Sequence, residues 1–298
     1  MVLESLVNPF KAEQKPKTLI LIGFLYAVIA LILSTYIFKE QASIVFIALT
    51  VMAAVPLMFG IIKREEKKEF SQSSEITLLK EHSKALTAFM MLFIGITLGV
   101  ILWYIIIPAA SSAVVFDTQI GTLGTLGHDV TGEITTGAVN SLSQFTKIFF
   151  NNVKVLIFCI VFSFIYGSGA IFILTWNASV LGVAIGNLIK SSLANVAQKV
   201  GLGQIASYLC VVSVGLIRYI LHGIPEILAY FVGALAGGII SFSIIKKDFK
   251  GKKLEKVILD SADLLFIAVG LVFLAAVLEV WVTPLLFPAS GFLMSCLG

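Results

Sequence analysis

The sequence predicts an all-α polytopic membrane helix bundle of about seven transmembrane helices, plus one short re-entrant or interfacial helix. Three observations carry this prediction. Of 298 residues, 58% are hydrophobic and 13% charged, where soluble domains have about half apolar and about a quarter charged residues. The apolar residues come in blocks of the length, about 20 residues, that carries a helix across ~30 Å of hydrocarbon. Lysines cluster in some of the segments between those blocks and are scarce in others. A water-soluble enzyme is excluded, because 21 Lys+Arg and 17 Asp+Glu are too few to cover the surface of a soluble chain this long. Net charge is +4, and the positions of the basic residues report topology before partners.

The first block, 18–38, ends in Phe38-Lys39-Glu40 without small residues and reads as a retained span, not a cleavable signal. The second, 42–62, is followed by Lys63, Arg64, Lys67, Lys68, Lys80 and Lys84, a short charged helical linker. The third is 87–107. The connection from 108 to 154 holds only Lys147 and Lys154 as basic residues, with Asp117, Asp129 and Glu133. Its 118–136 part, rich in Gly, Thr and Ser, reads as flexible. In 139–152, Leu142, Phe145, Phe149 and Phe150 recur at helical spacing, as in a helix lying on the membrane surface. Further spans are expected at 155–175, 205–221, 225–245 and 263–287, while the 12 apolar residues 178–189 are too few to cross.

Short basic loops stay cytoplasmic. This places 63–84 inside, together with Lys246, Lys247, Lys250, Lys252, Lys253 and Lys256. The poorly basic 108–154 connection goes outside. The N-terminus, with Lys11, Lys15 and Lys17, is cytoplasmic. An odd number of crossings must separate 108–154 from 246–256. Three spans supply it, so 178–189 is assigned as non-crossing, Lys190 and Lys199 as inside and the C-terminus as extracytoplasmic. The chain divides into an N-terminal two-helix extension with its linker, 1–84, and one membrane domain, 85–298, with an extracytoplasmic loop 108–152. Cys159, Cys210 and Cys296 are odd in number and lack metal-ligand spacing, so no disulfide framework is implied.

The richest chemistry lies in Arg218, His222 and Glu226, four residues apart on one helical line. Pro225 lacks an N–H and Gly223 adds freedom, so a helix break is expected near His222. Glu279 is expected at a similar depth. Intramembrane charges are costly and face protein or water. The four groups therefore form either an Arg–Glu pair with a bridging His that locks the bundle, or a site for a substrate, ion or partner. A metal held by His222, Glu226 and Glu279 or His128 has too few candidate donors to be adopted, and no cofactor is expected. A second constellation comprises Asn151-Asn152, Gly167 and Gly169, Trp176-Asn177, and Gly182 with Gly186-Asn187. Close helix packing explains it best, and Gly182/Gly186, Gly95/Gly99 and Gly233/Gly237 share the small-xxx-small spacing. A broken helix whose exposed ends bind ions is the other reading. No phosphate-binding loop or GxSxG occurs, and topology accounts for the lysines without nucleic acid.

The order Asn152, Gly167 and Gly169, Asn177, Gly182, then His222-Gly223-Ile224-Pro225-Glu226 with Ala229, Gly233 and Gly237-Gly238 resembles the stage II sporulation protein M family over roughly 87–287. The two leading spans resemble those of longer, mainly archaeal members. The resemblance implies a membrane scaffold that recruits cell-wall hydrolases to a septum, with catalysis left to the partners. The expected function is therefore a non-enzymatic scaffold or assembly partner, embedded in the lipid bilayer and bound to other membrane or envelope proteins or to a second copy of itself. A small-solute or ion transporter using Arg218, His222, Glu226 and Glu279 is the alternative, and an intramembrane hydrolase the third reading.

Overall fold

The structure, a computed structural model, describes residues 9–71, 75–125, 141–166, 169–196, 202–245 and 252–286. Helices α1 (Pro9–Gln14), α2 (Thr18–Ile37), α3 (Ala42–Ser71) and α4 (Glu75–Ile106) come first. Two short helices follow, α5 (Ala109–Val115) and α6 (Asp117–Thr125). The remainder is α7 (Ser141–Tyr166), α8 (Ala170–Val196), α9 (Leu202–Ile245), α10 (Lys252–Val277), a π-helical turn (Leu278–Val282) and α11 (Thr283–Leu286). The described residues contain no strand. Seven helices are long and apolar enough to cross a membrane: Thr18–Ile37, Lys39–Glu65, His82–Ile106, Ser141–Ile165, Ala170–Ser191, Ser207–Ser241 and Val257–Leu286.

The number matches the expectation, but its members do not. The block 155–175 is divided: 155–166 completes α7, and 170–175 opens α8. The amphipathic segment expected on the membrane surface is thus the first half of a spanning helix. Residues 178–189, expected to be re-entrant or interfacial, lie in the middle of the 27-residue α8. The expected spans 205–221 and 225–245 are one 44-residue helix, α9, uninterrupted through Gly223 and Pro225. Proline in a spanning helix is tolerated where neighbours support the backbone it frees, and α9 packs against α3, α4, α7, α8 and α10. At 1.5 Å per residue α9 is about 66 Å long, twice the ~30 Å hydrocarbon thickness, so it tilts or projects beyond the bilayer.

The regrouping reverses one assignment. Lys190, near the end of α8, donates from Nζ to the carbonyls of Tyr104 (3.3 Å) and Ile107 (2.7 Å), and its ammonium lies 5.3 Å from the Tyr104 ring centroid. It therefore sits at the membrane end that carries the 107–140 connection, opposite the 63–84 linker. Cationic side chains are favoured there, because the last carbonyls of a helix lack intrahelical partners. A second expectation also gives way: Cys210 is half of a disulfide, whereas Cys159 is a buried free thiol.

Packing depends on backbone-to-backbone approach. A Cβ on Gly95 of α4 would collide with the Ile20 carbonyl of α2, and one on Gly237 of α9 with the Ile160 carbonyl of α7, 2.6 Å away. Gly182 and Gly186 of α8 lie against Val100 and Tyr104 of α4. Phe231 of α9 stacks on Phe89 (5.7 Å) and meets Phe93 edge-on (6.0 Å), joining α9 to α4 within the core. At the linker end, α1 packs on α3 and α4. There the His82 Nδ1 and Glu65 Oε2 are 2.8 Å apart, with side-chain exposures of 3% and 0%, and Arg64 Nε donates to Glu13 Oε1 at 3.4 Å.

Candidate binding cavity

Between α7, α8 and α9 lies a half-open cavity of about 550 Å³. It runs from Leu123 of α6, at the 107–140 end, to Glu226 and Tyr230 near the middle of α9. The two constellations that look separate in sequence meet here. Asn151 and Asn152 come from α7, Asn177 from α8, His222, Gly223 and Glu226 from α9, and Glu279 from the π-helical turn.

Helical period explains the α9 wall. Tyr219, His222, Gly223, Glu226 and Tyr230 recur at three- and four-residue spacing and all line the cavity. The Tyr230 hydroxyl donates to Glu226 Oε1 at 2.8 Å, so the carboxylate is oriented from one turn further along its own helix. Asn152 is 5% exposed. Its amide lies beside the Glu226 carboxylate, and its Nδ2 has no partner within hydrogen-bond geometry. Asn177 is committed locally, its Nδ2 donating to the Ile173 carbonyl at 2.8 Å. A Cβ on Gly223 would meet nothing within 4 Å, so this glycine widens the cavity and is not a packing contact. The π-helical turn inserts an extra residue into a turn of helix, a feature frequent at functional sites. Here it contains Glu279, on the cavity wall.

Of the expected cluster, His222, Glu226 and Glu279 share one cavity. Arg218 belongs to α9, but its side chain lies outside the described residues, as do Gly167 and His128. Gly169 is in the turn before α8, where its carbonyl accepts from Phe172 N–H at 3.3 Å. Pro225 is inside α9. Among the described residues, no group of three His, Cys, Asp or Glu is arranged to hold a metal.

Lys147, Lys154 and Tyr230, which lie outside the cluster expected from sequence, also line the cavity. The lysines were legible only as the sparse charges of an outer loop. With 141–166 taken as one helix, Lys147, Asn151 and Lys154 fall at i, i+4 and i+7, the signature of a single face. Tyr230 was signalled by its position four residues after Glu226.

The architecture defines a polytopic helical membrane protein, with a half-open cavity that carries a few ionisable side chains. The chain belongs to the stage II sporulation protein M family, whose sequence model matches residues 111–284. Every cavity-lining residue falls within that stretch. Searches of curated proteins and of solved structures return no match.

Proposed function

We propose that this chain binds a small polar or charged ligand inside the bundle, as a transporter or membrane receptor does, from the extracytoplasmic side. The observation that carries the reading is the cavity of about 550 Å³ bounded by His222, Glu226 and Glu279. Small-molecule sites typically occupy about 300–1,000 Å³. Ionisable groups within spanning helices are kept where they face water, ligand or one another, and a carboxylate used only to lock helices together has no need of a chamber beside it. The orientation rests on the basic segments 63–84 and 246–256, which belong on the cytoplasmic side. It has independent support from Cys210 near the start of α9, since disulfides persist in oxidising compartments. The N-terminus is then cytoplasmic and the C-terminus extracytoplasmic.

Val180 lines the cavity. Val180→Cys in intact membrane vesicles is expected to react with a water-soluble maleimide added from the outside, with the unsubstituted chain as the background. Reaction only after denaturation would mean a sealed cavity, and the reading would fall.

Family membership favours a second reading, a non-enzymatic scaffold for other membrane or envelope proteins. The two readings forecast opposite results for His222→Ala. A scaffold keeps its fold and loses a co-purifying partner, whereas a ligand site loses binding or flux in liposomes with its assembly intact.

A further inference from the structure

A second cavity, of about 260 Å³, lies on the α4 side of the α8–α9 contact, as a half-open groove between α4, α8 and α9. Its walls run from Met90 to Ile101 on α4 and from Leu216 to Ile227 on α9, with Leu181 and Ile185 of α8 between them. All of these residues belong to stretches long and apolar enough to cross the membrane. Among the described residues no charged side chain lines the groove, and the Thr97 hydroxyl already donates to the Phe93 carbonyl at 2.9 Å. The lining therefore offers contact surface and few hydrogen bonds. Its mouth is formed by Ile94, Leu98, Ile220 and Ile224, between 36% and 49% exposed, and faces the hydrocarbon around the bundle.

Length and width decide what fits. At 1.5 Å per residue each wall is about 16 Å long, close to the ~15 Å that one leaflet contributes to ~30 Å of hydrocarbon. The groove begins at Ile101, near the 107–140 end, and stops near the middle of the bundle, just short of the Phe231 contact with Phe89 and Phe93. That is the depth range of the acyl chains of one leaflet. A volume of about 260 Å³ over this length gives a cross-section of about 16 Å². A helix about 10–12 Å across needs several times more, so a second copy or another membrane protein would span the groove without filling it. Lipid tails are as apolar as the lining, and the gain from filling is dispersion: an empty groove forfeits the contacts its walls could make.

The groove also borders the polar cavity. Leu181, Tyr219, Gly223 and Ile227 line both, so the two are separated only by the seam between α8 and α9. At Gly223 that seam is open enough that a Cβ would meet nothing within 4 Å. We propose that one hydrocarbon chain of a lipid, from the leaflet at the 107–140 end, lies in this groove as a bound component of the protein and closes the lipid side of the α8–α9 seam. This goes beyond the ligand reading and holds whatever the polar cavity binds.

The test reconstitutes the full chain in phosphatidylcholine liposomes with either of two photoreactive phosphatidylcholines, one with a diazirine near the carboxyl end of an acyl chain and one with it at the chain end. Adducts are mapped by mass spectrometry after illumination. Thr97 and Ile227, each 6% exposed, line the groove; Leu264 and Val280, 5% and 7% exposed, do not. Adducts are expected on Thr97, Leu181 and Ile227 at several times the level on Leu264 and Val280. The chain-end probe should favour Ile227, and the carboxyl-end probe Ile101 and Leu216. Ile220→Trp, which puts an indole at the mouth, should cut adducts on Ile227 at least threefold and leave those on Leu21 and Phe266, exposed elsewhere on spanning helices, unchanged. Ile220→Ala should retain them.

Labelling confined to exposed positions such as Leu21 and Phe266 would overturn the proposal, because ordinary boundary lipid does the same. So would equal labelling of Ile227 and Leu264, or a reversed order of the two probes along the groove. The Val180→Cys result bears on the polar cavity alone, so either conclusion can fail without the other.

Discussion

Two carboxylates in this bundle have a partner at the same distance and do different work. Glu65 is 2.8 Å from the His82 ring, both side chains are essentially inaccessible, and the contact joins α3 to α4. Glu226 accepts from Tyr230 at 2.8 Å, but both groups are on α9, one turn apart. The first contact crosses between helices and ties their packing to a buried polar bond. The second holds no two helices together. It fixes the direction of a carboxylate that borders a cavity of about 550 Å³. The difference teaches that sequence separation between partners distinguishes a clamp from an aimed side chain, even when bond length does not.

The largest effect is expected at the clamp. Glu65→Ala leaves the His82 ring buried beside a void, and a hydrogen bond to a charged group contributes about 1.5–3 kcal/mol. Thermal unfolding in detergent should show a clear drop in Tm. An unchanged Tm would remove the contrast with Glu226. Next in size is Gly95→Val, which drives a branched side chain into the Ile20 carbonyl. Overpacking of this kind costs about 1–3 kcal/mol, read as lowered Tm with α2 more accessible to protease.

Tyr230→Phe should cost less, about 1 kcal/mol for a single hydrogen bond, while weakening ligand binding severalfold because Glu226 is no longer aimed. A large Tm loss without a binding change would make Glu226–Tyr230 a clamp after all. The smallest effect is expected at Gly223, where a Cβ meets open space. Gly223→Ala should raise stability by up to about 1 kcal/mol, the helix-propensity difference between these residues. A destabilised Gly223→Ala would show that α9 needs freedom beside His222.

Much of the fold was legible because it follows from local composition. The blocks 18–38, 42–62 and 87–107 lie close to α2, α3 and α4, since hydrocarbon thickness sets a length that can be counted along the chain. The later spans were misdivided for physical reasons. Around Gly169 the chain turns within an unbroken apolar run, so hydropathy continues where direction reverses. At Pro225 a local helix-breaking tendency is overridden by packing of α9 against five other long helices. Lys147 and Lys154 suggested an aqueous loop, yet both sit on a spanning helix that faces a chamber. In the candidate site, His222, Glu226 and Glu279 could be named from the rarity of ionisable groups in apolar sequence. The neighbours Asn152, Lys154 and Tyr230 could not be assembled around them, because their juxtaposition depends on which faces of α7 and α9 meet.

Composition and block length, then, were enough for the class of protein and for the first three spans, because both rest on a sum over local transfer free energies; the total of seven came out right only because one omitted span offset one helix counted twice. The pairing of blocks into helices, the end of the bundle at which Lys190 lies and the meeting of two polar constellations at one cavity are cooperative. They turn on close approach at Gly95, Gly182 and Gly237, where one backbone or side chain leaves room for another only in the assembled bundle.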